Sequence, residues 1–293
     1  MGDFHCPLGV PYYEADGCIL CGLCIAQTEP EMVRASKIIR SYIKKHSPPK
    51  NNFQKIAVCG KGGTGKSTFT TLLAHALAQQ AYRVSVLDAD ESNPGLYKMF
   101  GITDPPKPIA DLIKKIGETD FKIRELPAEY LACSGNITFI VSGKIIDPFQ
   151  GCACELADMT SQLMRHLALE PDEKIIVDTE AGIESFGRGV ERYVDTVFIM
   201  VEPSLESIEV AEKIKYMAEG IGIVMVKAVL NRVPNKPLEE RMISELTNKD
   251  ISYIGTIHID PVIGETNFMG QGLEASTAAE EVNKIVRNII LNK

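Results

Sequence analysis

Three groups of residues in this chain have types and spacings suited to chemistry. The first is CGKGGTGKST, residues 59–68, which satisfies G-x-x-x-x-G-K-[ST] with Gly60, Gly65, Lys66 and Ser67. Glycines lacking a Cβ let backbone N–H groups close around phosphate oxygens, and the N-terminus of a following helix adds its dipole. Gly62, Gly63, Thr64 and Thr68 complete the loop and the first helical turn. Lys66 is placed for the β- and γ-phosphates, and the Ser67 hydroxyl for Mg²⁺. The pattern predicts a nucleotide site.

The second group is Cys152 and Cys154, in GCACELADMT. Residues two apart on a helix diverge by about 200°, so this pair chelates only from a loop or from the start of a helix. There the dipole favours the thiolate that binds metal. Two thiolates make half of a tetrahedral site, and a two-fold dimer supplies the other half. The third group is CILCGLC, with Cys18, Cys21 and Cys24 at C-x2-C-x2-C spacing.

The elements that must position these groups divide the chain near residue 50. Residues 1–46 form a cysteine-rich head followed by a helix-like run, EMVRASKIIRSYIKKH, with Val33, Ile38, Ile39, Tyr42 and Ile43 on its stripe. Residues 47–52, in SPPKNN, cannot continue a helix and read as a linker. From 53 to 293, apolar strand-like runs alternate with helical ones. The strand candidates are KIAVCG, RVSVLDAD, ITFIVSG, KIIVDTE, TVFIMVEP, VMVKAVLN and SYIGTI. Continuous Val/Ile runs indicate strands buried on both faces, so the expected class is α/β, a mainly parallel sheet flanked by helices with a small metal or cluster module in front.

Bulk properties narrow the function. The chain has 293 residues, 45% hydrophobic and 24% charged, which suits a sizeable core. A net charge of -8 argues against a nucleic-acid partner. No apolar run approaches the roughly 18 to 20 residues of a membrane span. The opening MGDFHC has Cys6 where a myristoylation signal needs Ser or Thr and does not resemble a signal peptide, so a cytoplasmic location is expected. Eight cysteines then read as metal ligands, redox groups or buried thiols. Cys59 and Cys133 are expected to be buried thiols. The histidines show no ligand spacing.

With Lys61 directly after Gly60, the loop has the form K-G-G-x-G-K-[ST] and resembles the deviant Walker A class of P-loop ATPases. That class includes the nitrogenase iron protein, the division-site and partition ATPases and several cofactor-maturation ATPases. The resemblance implies ATP and Mg²⁺ as cofactors, ATP hydrolysis, and a homodimer in which Lys61 crosses to the partner's nucleotide. LDADESNPGL resembles switch I, so Asp90 is the candidate for orienting the attacking water, with Asp88 nearby. IIVDTEAG resembles Walker B running into switch II, with Asp178 holding the Mg²⁺ shell and the Gly182 amide sensing the γ-phosphate. VLNRV places Asn231 where this class reads the adenine edge.

The C-x-C between switch I and Walker B, together with DTEAGIESFGRG, resembles the CooC-type nickel-insertion accessory ATPases of carbon monoxide dehydrogenase. This implies nickel or zinc at the dimer interface and an apo-metalloenzyme as client. CILCGLC resembles the first three ligands of a bacterial-ferredoxin [4Fe–4S] motif. The fourth ligand position holds Thr28, which leaves Cys6 as the replacement and zinc as the alternative occupant. The leading expectation is a metallochaperone ATPase. A second is ATP-driven iron–sulfur electron transfer for reductive activation of a metalloenzyme, in which Cys133 and Cys154 would have to be forced into the cluster-ligand scheme of the iron protein, one that a C-x-C pair fits poorly. A third is a membrane- or DNA-positioning ATPase that uses AEEVNKIVRNIILNK as a targeting tail, against which stands a last helix packed on the sheet.

Overall fold

Seven β-branched runs become the parallel strands of one sheet. The computed structural model describes residues 14–15, 18–46, 52–91, 95–110, 112–113, 119–144, 153–183, 190–269, 273 and 276–291. The strands are β1 (Lys55–Gly60), β2 (Arg83–Ala89), β3 (Ala132–Ser134), β4 (Ile137–Val141), β5 (Glu173–Thr179), β6 (Thr196–Val201), β7 (Met225–Val233) and β8 (Tyr253–His258). Their order is β3-β4-β2-β5-β1-β6-β7-β8. Among the described strands, only β3 against β4 pairs antiparallel. The helices are α1 (Glu29–His46), α2 (Lys66–Gln79), α3 (Leu96–Met99), α4 (Ala153–His166), α5 (Leu205–Gly220), α6 (Lys236–Asn248), α7 (Pro261–Met269) and α8 (Thr277–Leu291).

Alternation along each strand feeds two apolar layers. On one face Ala57, Cys59, Leu87, Ile175 and Val177 pack with Leu163 of α4, Ile214 of α5 and Leu246 of α6. On the other, Ile56, Val58, Val86 and Ile176 pack with Leu73 of α2 and Val282 of α8. Fully burying one such side chain stabilises the fold by about 1.5–3 kcal/mol. The C-terminal amphipathic run is therefore a packed helix: Ala278, Val282, Ile285, Val286 and Ile289 are buried, and α8 lies on α2 and β8. No helix among the described residues is long and apolar enough to cross a membrane.

Three details depart from the sequence expectations. The α1 stripe is narrower than predicted, because α1 packs on α5 along one seam. Ala35 and Ile39, four residues apart, are buried there, whereas Val33 and Ile38 are exposed. Cys59 is buried, but Cys133 is exposed. Its strand, β3, is a three-residue edge whose alternation turns Cys133 outward. β3 itself is too short to show any period in the sequence. The linker residues 47–51 lie outside the described residues.

Thr28 has a structural reason to stand where a fourth cysteine was expected. It immediately precedes α1, and Met32 N donates to its carbonyl at 3.0 Å. Glu31 Oε2 accepts from the backbone amides of Gln27 and Thr28 at 3.0 and 3.1 Å. These bonds hold the Glu31 carboxyl below the usual range. Glu31 thus supplies the back-bonding half of a capping box, with Pro30 in the first turn.

Candidate functional site

The phosphate loop joins β1 to α2. Gly60, Gly63 and Gly65 have φ of 147, 81 and 86°, in the region that favours glycine. Close approach adds to this at two of them. A Cβ on Gly60 would stand 2.7 Å from the Met200 carbonyl, and one on Gly65 would stand 2.4 Å from Asn231 Nδ2. Asn231 is buried, and its Nδ2 donates to the Thr64 carbonyl at 2.7 Å. Arg232, itself at φ 55°, donates from Nη1 to the Gly63 carbonyl at 2.9 Å. β7 thus braces the loop from below, a support that the sequence reading assigned only to the adenine.

Ser67 and Asp178 lie in direct contact. Ser67 Oγ donates to Asp178 Oδ2 at 2.7 Å, and Thr70 Oγ1 donates to Asp178 Oδ1 at 3.1 Å. Lys66 and Asp178 are both buried. These hard oxygen donors fit a hydrated Mg²⁺, for which Ser67 would be the direct ligand and Asp178 would order a bound water. Burial pushes the Asp178 carboxyl up to about 6, against the pull of the Ser67 hydrogen bond. Thr70 was missed, although it lies one turn past Lys66 on the same helix.

Asp88 is the register partner of Asp178 across β2 and β5. Burial pushes it up to about 7, although the Lys144 ammonium opposes the shift. Asp90 follows the end of β2 and is half-buried. The switch II amide, Gly182 N, donates to the Gly60 carbonyl at 2.9 Å, so this amide lies against the phosphate loop. Lys61 is held by two acids of its own chain, Glu206 Oε2 at 2.9 Å and Glu202 Oε1 at 3.2 Å. Those bonds raise its pKa, Glu206 foremost. Thr68 follows Ser67 in the first turn of α2, and Gly62 would bring a Cβ to ordinary contact with Ala181, at 3.5 Å.

The cysteine groups are placed less completely. Cys154 is the second residue of α4. Cys152 and the side chain of Cys154 lie outside the described residues, as does Cys6. In the head, Cys18 and Cys21 are half-buried and Cys24 is exposed. Leu20 N donates to Cys18 Sγ at 3.4 Å. Among the described residues no three His, Cys, Asp or Glu side chains gather as a metal-binding group. The three described head cysteines are therefore not drawn into one ligand set.

Known proteins are similar to this chain in sequence and in fold. The sequence profile of the CobQ/CobB/MinD/ParA nucleotide binding domain matches residues 55–271. An uncharacterized ATP-binding protein of Methanocaldococcus jannaschii is 37% identical over 250 residues, covering 79% of this chain and 98% of that one. The carbon monoxide dehydrogenase accessory protein CooC of Rhodospirillum rubrum is 28% identical over 228 residues, covering 71% of this chain and 85% of that one. In three dimensions the chain is similar to the cell division ATPase MinD of Pyrococcus furiosus, with a TM-score of 0.65 at 18% identity, covering 82% of this chain and 100% of that one. With its phosphate loop, strand-end acids and β-strand order, this chain belongs to the CobQ/CobB/MinD/ParA family and is a P-loop ATPase.

Proposed function

We propose that the protein is an ATP-dependent metallochaperone that matures a metalloenzyme. In this reading Cys152 and Cys154 from two subunits hold one metal on the dimer axis, and ATP hydrolysis changes the dimer geometry to release it. The observation that carries the proposal is the position of the C-x-C at the start of α4, where helix amides and dipole favour thiolate. The likeness to the accessory protein of Rhodospirillum rubrum supports it over most of the ATPase domain. Nickel is the proposed cargo, zinc the alternative occupant, and apo carbon monoxide dehydrogenase or a related enzyme the client. The division into a head (1–46), linker (47–52) and ATPase domain (53–293) belongs to the same proposal. So does an iron–sulfur or zinc site on Cys18, Cys21, Cys24 and Cys6.

Metal and acid-labile sulfide analysis of anaerobically purified protein tests this. Cys152→Ala/Cys154→Ala is expected to lose about half an equivalent of nickel or zinc per chain, one metal per dimer. Unchanged metal content would remove the C-x-C site. Loss of iron and sulfide from this variant would instead show a bridging cluster and make the protein an electron-donating ATPase.

A further inference from the structure

Asp88 and Asp178 stand side by side at the carboxyl ends of β2 and β5, both buried. Asp90 lies two residues beyond Asp88. A cation reaches this acidic corner from the neighbouring strand. Lys144, shortly after the end of β4, places Nζ 2.7 Å from Asp88 Oδ1 and 2.5 Å from the Asp90 carbonyl oxygen. The Lys144 side chain is 15% exposed, and that of Asp88 is 1% exposed. The backbone beneath is fastened as well. Ser142 N and Ser142 Oγ both donate to the Asp88 carbonyl, each at 3.0 Å.

We propose that Lys144 is a positioning residue for ATP hydrolysis, acting through the Asp88 carboxylate and the Asp90 backbone. An ammonium on the Asp90 carbonyl restricts the rotation that aims the Asp90 side chain. Its charge also compensates Asp88, which otherwise sets a second buried anion beside the Mg²⁺-side acid Asp178. The inference rests on Asp90 as the residue that orients the attacking water. It is independent of the metal cargo, because the readout is ATP turnover alone. Its effect falls on the chemical step, since the bonds go to switch I and the loop that grips phosphate is braced separately by β7.

The test compares steady-state hydrolysis by Lys144→Met, Lys144→Arg and Asp88→Asn/Lys144→Met, with each rate normalised to bound fluorescent ADP per chain. In Lys144→Met, kcat is expected to fall about 10- to 100-fold while KM for ATP stays within about threefold. Lys144→Arg, which keeps the cation, should recover at least about a third of the rate. The double variant should be no slower than Lys144→Met, because the two residues act through one another. It also keeps the test open if Lys144→Met does not fold, since it leaves no buried Asp88 charge unpaired. Wild-type turnover in Lys144→Met, a change in KM alone, or an arginine variant as slow as methionine would each overturn the proposal. Asp90→Asn in the same assay separates the two assignments: normal turnover there removes the role of Asp90, whatever Lys144 shows.

Discussion

Lys61 and Glu206 lie 2.9 Å apart, Nζ to Oε2, within one chain. The lysine that resembles a trans-acting residue is thus held in cis, by the first turn of α5 and by Glu202 at the end of β6. In the proposed dimer, closure would exchange those bonds for contacts with the partner's nucleotide.

The first prediction follows from that exchange. Lys61→Ala should stay monomeric with Mg–ATP, as read by gel filtration or sedimentation. Glu206→Gln, which weakens the holding contact and keeps its shape, should dimerise at several-fold lower protein concentration than wild type. Equal dimerisation of Glu206→Gln and wild type would show that the contact does not compete with closure. The pair is partly exposed, so raised salt should shrink the difference.

Asp178 and Asp88 predict an unusual pH dependence. Both carboxyls are pushed up, to about 6 and about 7, from an ordinary value of 3.8. Between about pH 4 and 7 the folded chain therefore binds more protons than the unfolded chain, and stability falls as pH rises through that window. Without nucleotide and Mg²⁺, the melting temperature should be higher at pH 5.5 than at 7.5. Asp178→Asn should flatten that slope, melt higher than wild type at pH 7.5 and lose hydrolysis. A wild-type melting temperature that rises from pH 5.5 to 7.5 would contradict the assignment.

Gly182 should be needed for hydrolysis more than for binding. Its φ of 87° costs an L-residue about 1–2 kcal/mol, and its amide meets the Gly60 carbonyl. Gly182→Ala is expected to keep KM for ATP within a few-fold while kcat falls at least about tenfold. Equal losses in nucleotide binding and turnover would indicate general misfolding of switch II.

The brace under the phosphate loop should fail in the same way from either side. Asn231→Ala leaves the Thr64 carbonyl unpaired, at a cost of about 1–3 kcal/mol. Gly65→Ala drives a Cβ into the same Asn231 amide. Both variants should melt lower and bind ATP about tenfold more weakly by isothermal titration, and the double variant should add little. Additive losses would separate the two residues.

The sheet was legible because its strands are long β-branched runs buried on both faces, and the loop because glycines record backbone geometry directly. Ser67 meeting Asp178 followed from the motif order. Lys144, Glu202 and Glu206 were not legible, since their partners are remote in sequence and single charges near strand ends carry no period. Lys144 left one trace, a lone cation just past a buried strand in VSGK. Cys133 was misread for a related reason: composition favours buried cysteine, and only pairing at the sheet edge turns this one outward. Asn231 was found for its place in VLNRV, while its bond to Thr64 needed β7 to lie beneath the loop.

The seam between α1 and α5 has a mechanical consequence. α5 carries Glu206 in its first turn and packs against α1, on which Ala35 and Ile39 are buried. The cysteine-bearing head and the acid that restrains Lys61 therefore ride on a single rod. In the proposed dimer, a client docking on α1 would load the same helix whose first turn must release Lys61.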